Sequence, residues 1–142
     1  MALNQNMKEK MYKCKYRHCL KPDEKVSESD AVMFGKRHYH KECAALHMQI
    51  ERIKRIYFDF IDDKSDYVQV VGVINNLIFK KGYSPDYVEF MMKYSAVYCA
   101  RNFKSPYLLH TIIENGIVEK MYKNDKQRRD VIERFDYRLR KS

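Results

Sequence analysis

Two short segments decide how the first third of the chain folds, CKYRHC at positions 14–19 and FGKRHYHKEC at positions 34–43. The first segment begins and ends with cysteine, and the second ends with a histidine and a cysteine that have two residues between them. Two close pairs of Cys and His side chains on separate segments are the pattern by which proteins hold structural Zn²⁺ in a tetrahedron. The predicted ligands of one structural zinc ion are Cys14, Cys19, His40 and Cys43.

A β-hairpin is predicted between the two pairs. Residues 31–34 and 37–40 are rich in apolar and aromatic side chains, and Gly35 lies between them in a position typical of a hairpin turn. The hairpin would bring the first pair of ligands back to the second. Because His40 and Cys43 lie three residues apart at the expected start of a helix, they should face the same side of it.

The ligand set has alternatives at the sequence level. His18 adjoins Cys19, and His38 lies two residues before His40, so either histidine is an alternative for one of the four ligands. The remaining cysteine, Cys99, has no partner nearby in the sequence and is expected to be a buried apolar side chain. A closed site with four protein ligands leaves no open position for a substrate, which argues against catalysis there.

The segment 34–43 resembles the centre of a LIM-domain zinc module, in which a glycine–lysine turn leads through an aromatic residue to His-x-x-Cys. The order Cys, Cys, His, Cys also resembles the zinc fingers of poly(ADP-ribose) polymerase, where the spacing is longer. Both resemblances imply a treble-clef-like site, built from a knuckle, a hairpin and a helix, over about residues 14–45. The first pair has four residues between its cysteines here, instead of the usual two.

Beyond the second pair, the apolar residues recur every three or four positions, which predicts helices. The expected helices cover about residues 41–61, 67–80, 85–100, 106–115 and 125–139. Ser-Pro pairs mark the starts of the third and fourth, while Gly82 and Asn115-Gly116 are typical helix stops. The predicted core side chains are Tyr57, Phe60, Ile74, Leu77, Met91, Tyr94, Ile112 and Phe135.

The predicted fold class is therefore mainly α, with a small treble-clef-like β-hairpin zinc module at the N-terminus. Residues 1–13 are expected to be a basic lead-in, residues 14–45 the zinc module, and residues 46–142 a helical domain. The amino-acid composition fits this organisation, because 45% of the 142 residues are hydrophobic and Gly and Pro are few.

The helical half resembles the C-terminal module of DnaD-like replication proteins, which occur in Gram-positive bacteria and their phages. The resemblance covers about residues 67–123 and rests on Gly82-Tyr83-Ser84-Pro85 at the start of one helix and on the segment 107–115 in the next. Gly116 stands where that family has tryptophan. Together with the zinc module, this makes the chain similar to small zinc-finger proteins of Gram-positive phages, which implies an accessory protein in the host cytoplasm.

The formal net charge of +9 predicts a negatively charged partner, either nucleic acid or an acidic protein surface. No apolar run approaches the roughly 20 residues that cross a bilayer, and the N-terminus has no apolar signal segment, so we expect a cytoplasmic protein without a membrane partner. The oligomeric state is not predicted.

Three classes of function fit these features. The first is a nucleic-acid-binding regulator or replication accessory protein, and the second is a protein-binding adaptor or inhibitor of a host or defence factor, such as an anti-CRISPR protein. An enzyme is the weakest of the three, because the sequence has no glycine-rich phosphate loop, no paired-carboxylate motif and no nucleophile elbow.

Two basic segments carry the nucleic-acid prediction. In the lead-in and the residues just after it, Tyr12 and Tyr16 lie among the cations and are expected to stack on bases. In the final helix, acidic residues such as Asp130, Glu133 and Asp136 are interleaved with the cations, as they also are in a solvated helix without a partner. The candidate nucleic-acid contacts are Lys8, Lys10, Lys13, Lys15, Arg17, Arg134, Arg138 and Lys141.

Overall fold

A computed structural model describes residues 9–141 of the chain. The chain divides into two compact units, with the boundary between Met48 and Gln49. The first unit holds the strands and the second holds most of the helical residues. No helix within the described residues is long and apolar enough to cross a bilayer.

Four three-residue strands form two antiparallel pairs in the first unit. The strands are β1 (Met11–Lys13), β2 (Lys25–Ser27), β3 (Val32–Phe34) and β4 (Arg37–Tyr39). β3 and β4 are the predicted hairpin, which is thereby confirmed. Gly35 has a φ of 63° in its two-residue turn, a backbone conformation that favours glycine.

β1 pairs with β2, so that Tyr12 lies opposite Val26 and Lys13 lies opposite Lys25. Residues 11–13 fall in the predicted basic lead-in, for which the sequence predicts no strand, and they form β1. The difference has a physical reason, because a three-residue strand shows too short an alternation of polar and apolar side chains to be distinguished from a loop.

A small aromatic core fills the first unit. Tyr16 and Tyr39 are buried, with ring centroids 5.4 Å apart, and Phe34 packs at 4.7 Å from the Tyr39 ring. The ring of His47 meets Phe34 edge-on at 5.0 Å. Cys14 and Cys43 belong to the same buried cluster, so the side chains of the predicted metal ligands are part of the core.

Six α-helices lie within residues 9–141, and the first crosses the boundary between the units. The helices are α1 (Lys41–Phe60), α2 (Tyr67–Asn75), α3 (Pro85–Tyr98), α4 (Leu108–Ile113), α5 (Gly116–Lys123) and α6 (Asp125–Lys141). The prediction of a mainly α-helical fold with a small β module at the N-terminus is confirmed.

The starts and stops of α2 and α3 follow their local sequence. α2 continues as a π-helical turn over Asn76–Lys80 and ends at Gly82, whose φ of 78° breaks the helix. α3 begins as predicted, with the Ser84 hydroxyl accepting a hydrogen bond from the Tyr87 N–H at 3.1 Å and Pro85 in the first position.

One helix was not predicted. Asn115-Gly116 was expected to end a helix, and α4 does end just before it, at Ile113. Asn115 also begins the next helix, because its side-chain oxygen accepts a hydrogen bond from the Ile117 N–H at 2.9 Å. Asparagine favours both helix stops and N-caps, so the dipeptide alone did not reveal α5.

The second unit buries most of the predicted core. Tyr57, Ile74, Leu77, Met91, Ile112 and Phe135 are buried. Phe60 and Tyr94 are only half-buried. Phe60 packs edge-on against Phe135 with ring centroids 5.1 Å apart, and Tyr94 packs against Tyr98 on the same helix at 5.0 Å.

Tyr87 joins α3 to the end of α4, since its buried hydroxyl donates a hydrogen bond to the carbonyl oxygen of Ile113 at 2.9 Å. Tyr87→Phe removes the donor and leaves this buried carbonyl without it, so we expect the free energy of unfolding to fall by about 1–2 kcal/mol. Urea denaturation followed by far-ultraviolet circular dichroism measures the change. Tyr107→Phe is the control, because Tyr107 is 57% exposed; an equal loss in the two variants would contradict the prediction.

Candidate metal centre

Four side chains of the first unit meet around one point. The three thiol sulfurs and one ring nitrogen all lie within 4.8 Å of one another. The residues are Cys14, Cys19, His40 and Cys43. These are the four ligands predicted from the sequence. The two alternatives, His18 and His38, are not part of the cluster.

The atoms are spaced around a common centre and are not bonded to one another. Nδ1 of His40 lies 3.5 Å from Sγ of Cys19 and 3.7 Å from Sγ of Cys43, and these two sulfurs are 3.8 Å apart. A disulfide requires about 2.05 Å between its sulfurs, and all four cysteines of the chain are free thiols. The cluster can therefore hold a metal ion at its centre.

Each ligand is positioned by a short local structure. Cys14 follows β1 directly, and the next residue, Lys15, donates its N–H to the carbonyl of His38 at 3.0 Å. Cys19 ends a turn in which its N–H donates to the Tyr16 carbonyl at 3.2 Å. The other two ligands lie at the beginning of α1, one just before it and one in its first turn. This is the predicted order of knuckle, hairpin and helix.

Backbone N–H groups also point at two of the sulfurs. The N–H of Leu20 donates to Sγ of Cys43 at 3.3 Å, and the N–H of His40 donates to Sγ of Cys14 at 3.4 Å. Such donors favour the thiolate, which is the form that binds metal. The donors of these contacts are backbone N–H groups, so the residue types in the sequence could not predict them.

The protonation of the thiols depends on these surroundings. Burial raises the pKa of Cys43 to about 11, and the neighbouring thiols add to this, while the Leu20 N–H acts in the opposite direction. Burial also opposes ionisation of Cys14, but the N–H groups of Tyr16 and His40, together with the neighbouring thiols, bring its pKa below the ordinary value. In the metal-free protein at neutral pH, Cys43 is therefore a thiol that must lose its proton to bind metal.

The imidazole of His40 presents Nδ1 to the thiols and leaves Nε2 buried. Within residues 9–141, Nε2 has no hydrogen-bond partner. A histidine that binds metal through one nitrogen usually donates the other N–H to a carboxylate, a carbonyl or a water molecule. His40 also lines a cavity of about 580 Å³ together with Glu24 and Asp30.

The predicted nucleic-acid contacts among residues 8–17 are exposed where the structure describes them. Lys10, Lys13, Lys15 and Arg17 are all exposed, and within residues 9–141 none forms an ion pair. Lys8 lies outside the described residues. The four cations are therefore available to an anionic partner.

The predicted contacts of the last helix have intramolecular partners instead. Arg134 forms an ion pair with Asp130 at 3.1 Å. The guanidinium of Arg138 donates to the carbonyl oxygen of Ala96 at 2.5 Å. The ammonium group of Lys141 lies 5.5 Å from the ring centre of Tyr137. These contacts partly satisfy the positive charges of α6.

Tyr12 and Tyr16, the two tyrosines predicted to stack on bases, have different surroundings. Tyr16 is buried in the aromatic core, so the expectation that its ring stacks on bases was wrong. The spacing of aromatic residues among lysines did not distinguish a core residue from a surface residue. Tyr12 is half-buried and its ring stacks on that of His38.

We expect metal affinity to fall as the pH falls, because the raised pKa of Cys43 means that binding releases a proton. The apparent dissociation constant should rise about tenfold per pH unit for each proton released. Titration with Co²⁺, followed by its thiolate charge-transfer absorption between about pH 6 and 8, measures this slope. An affinity independent of pH would contradict the prediction.

The site as a whole has four ligands on a knuckle and a helix start, with a hairpin between them. This architecture is compatible with the treble-clef-like module that the sequence resemblance implies. No protein-family model, curated protein or solved structure matches this chain significantly.

Proposed function

We propose that the first unit is a structural zinc module and that the protein binds nucleic acid, as a regulator or replication accessory protein. Cations of the first unit and of the last helix would contact the phosphates. The observation that carries the proposal is the closed cluster of four ligands next to exposed cations that have no ion-pair partner among the described residues. The resemblance to zinc-finger proteins of Gram-positive phages suggests a phage as the source.

The distances in the cluster support zinc as the metal. In a tetrahedron with Zn–S bonds of about 2.3 Å and a Zn–N bond of about 2.05 Å, two sulfurs are separated by about 3.8 Å, and a sulfur and a nitrogen by about 3.6 Å. Among Cys19, His40 and Cys43, the corresponding distances are 3.8 Å between the two sulfurs, and 3.5 and 3.7 Å from the sulfurs to Nδ1 of His40. Three thiolates and one imidazole are also a ligand set typical of structural zinc.

The pairing of β1 with β2 supports an anionic partner. Lys13 lies directly opposite Lys25 in this antiparallel pair, so their side chains project from the same face a few ångströms apart. Like charges in this position destabilise a sheet, and a bound phosphate would offset their repulsion. Both lysines are exposed, which leaves room for such a group.

An adaptor that binds an acidic protein surface is the alternative. Its support is the ion pairing within α6, where Arg128 bonds to Asp125 and Arg134 to Asp130. A helix neutralised in this way offers fewer free cations to phosphates. The salt dependence of binding separates the two functions, since counterion release makes phosphate-dominated binding steeply dependent on salt.

We expect the purified protein to contain stoichiometric zinc, and removal of zinc to unfold residues 14–45. The reason is that structural zinc couples metal binding to folding. Cys43 is fully buried within the cluster, so Cys43→Ala should have the same effect as a chelator. Elemental analysis measures the metal, and amide NMR signals locate the unfolding.

The control is Cys99→Ala, because Cys99 lies in the second unit, outside the cluster. This variant should keep its zinc and the signals of residues 14–45. If protein without stoichiometric zinc still has a folded first unit, the zinc proposal is wrong.

We expect Lys13→Ala, Lys15→Ala and Arg17→Ala, combined in one variant, to weaken binding to random duplex DNA. Each lost phosphate contact should lower the slope of log affinity against log salt by about one unit. Fluorescence anisotropy at several salt concentrations measures both the affinity and the slope.

The matched control combines Lys21→Ala, Arg52→Ala and Lys123→Ala. Like the test variant, it removes two lysines and one arginine. Each of these three residues, however, forms an ion pair with a glutamate. An equal loss of affinity in both triple variants would show that net charge alone matters. No binding of the wild type to nucleic acid at low salt would favour the adaptor.

A further inference from the structure

Helix α2 and the π-helical turn that continues it are uncharged along almost their whole length. Residues 67–79 are the longest stretch of the chain without a charged side chain. The inner side of this stretch is buried in the second unit, at Val70, Val73, Ile74, Leu77 and Ile78. A helix at a protein surface usually carries charged residues on the side that faces water. The outer side of α2 lacks them.

Three residues mark the outer side of α2. Val68 has the largest exposed fraction, 74%, among the large hydrophobic residues that the structure describes. Gly72 lies one turn further along and is also exposed, and Asn75 follows three residues later. A methyl group on Gly72 would meet no atom within 4 Å, so another helix has room to approach here. We name Val68, Gly72 and Asn75 the α2 stripe.

Two lysines stand at the C-terminal end of the α2 stripe. The Lys81 N–H donates to the carbonyl of Asn76 at 2.9 Å, which is the i→i+5 bond of a π-helical turn. By the same geometry, Lys80 lies about one turn beyond Asn75, on the outer side of the helix. Both lysines are exposed, and neither forms an ion pair within residues 9–141.

The N-terminal end of the α2 stripe is acidic. Asp66 directly precedes α2, and its side chain makes no capping hydrogen bond. Asp63 and Asp66 are exposed, and in the part of the chain that the structure describes neither has an ion-pair partner. Three aspartates and one lysine give residues 62–66 a net charge of −2, which matches in size the +2 of Lys80 and Lys81.

We propose that the α2 stripe is the contact surface of a homodimer, in which α2 of one copy packs antiparallel against α2 of a second copy. A two-fold axis would bring the acidic start of each helix to the basic end of the other, so one surface serves both copies. Gly72 lies close to the midpoint between Asp66 and Lys80, where the two helices would cross. Antiparallel order also places the helix dipoles favourably.

The distribution of charge favours a second copy over other occupants. Nucleic acid would find no cation within the α2 stripe and would be repelled by the aspartates at one end. An uncharged partner would cover the apolar middle but would leave the charges at both ends without partners. The occupant that fits has a base at one end and an acid at the other, and α2 itself has this pattern.

Sedimentation velocity of the full chain tests the dimer. One pair of short helices buries less than the roughly 1,600 Å² of a standard interface, so we expect dimers to form between about 1 and 300 μM. Val68→Lys removes an apolar contact from each copy and places a cation near the basic end of the other. It should raise the dissociation constant of the dimer at least about tenfold.

Ile117→Lys is the matched control. Ile117 is 61% exposed, and both Ile117 and Val68 are the second residue of their helices. The control adds the same charge to the second unit away from the α2 stripe, so its dissociation constant should stay within about twofold of the wild type, because salt screens distant charges. Far-ultraviolet circular dichroism verifies that both variants keep their helices.

Charge reversal tests the antiparallel order. Lys80→Glu with Lys81→Glu makes both ends acidic, and Asp63→Lys with Asp66→Lys makes both ends basic. Each double variant alone should dimerise about tenfold more weakly than the wild type, because like charges meet at both ends, and the two mixed together should recover nearly the wild-type affinity. In a parallel pair, like charges would already meet in the wild type, so reversal would not weaken it.

The outcomes decide the inference without reference to nucleic-acid binding. A wild type that stays monomeric over the whole concentration range would overturn it. A dimer that Val68→Lys and Ile117→Lys weaken equally, or that neither weakens, would use another surface and would also overturn it. Selective loss in Val68→Lys, with recovery of affinity in the mixed charge variants, supports it.

Discussion

The convergence of three thiols and one imidazole on a common centre is the constraint on which the first unit depends. This unit has fewer than 50 residues, and a chain of that size buries too little apolar surface to fold without help from a metal or a disulfide. Its aromatic core is small and contains two of the ligand side chains, Cys14 and Cys43. The four short strands serve mainly to bring the two pairs of ligands together.

The sequence was sufficient to predict which four residues cluster, because two close pairs of Cys and His side chains at this spacing are uncommon except at metal sites. It also predicted the hairpin around Gly35 and the start of α3 at Ser84, where a single local signal decides the backbone conformation. It did not predict the pairing of β1 with β2 or the separate helix α5. The strand pair depends on contacts between residues distant in sequence. Helix α5 depends on Asn115, and asparagine can either end one helix or cap the start of the next.

The net charge of the chain can be read from its composition, but which cations are free to bind a partner depends on the fold. The net charge of +9 predicts an anionic partner but does not identify which cations face it. The ion pair of Arg134 with Asp130 follows from their spacing of four along a helix. The bond from Arg138 to the Ala96 carbonyl joins two helices distant in sequence, and only the fold reveals it. Lys10, Lys13, Lys15 and Arg17 differ from these arginines, because none of the four forms an ion pair within residues 9–141.

The metal centre and the stacked rings of Tyr12 and His38 are linked by covalent geometry. Tyr12 lies two residues before the ligand Cys14, and His38 lies two residues before the ligand His40. A metal ion at the cluster would therefore fix both strands whose side chains form the ring pair, and the bond from the Lys15 N–H to the His38 carbonyl would hold those strands in register. Loss of the metal would release the two strands independently and separate the rings.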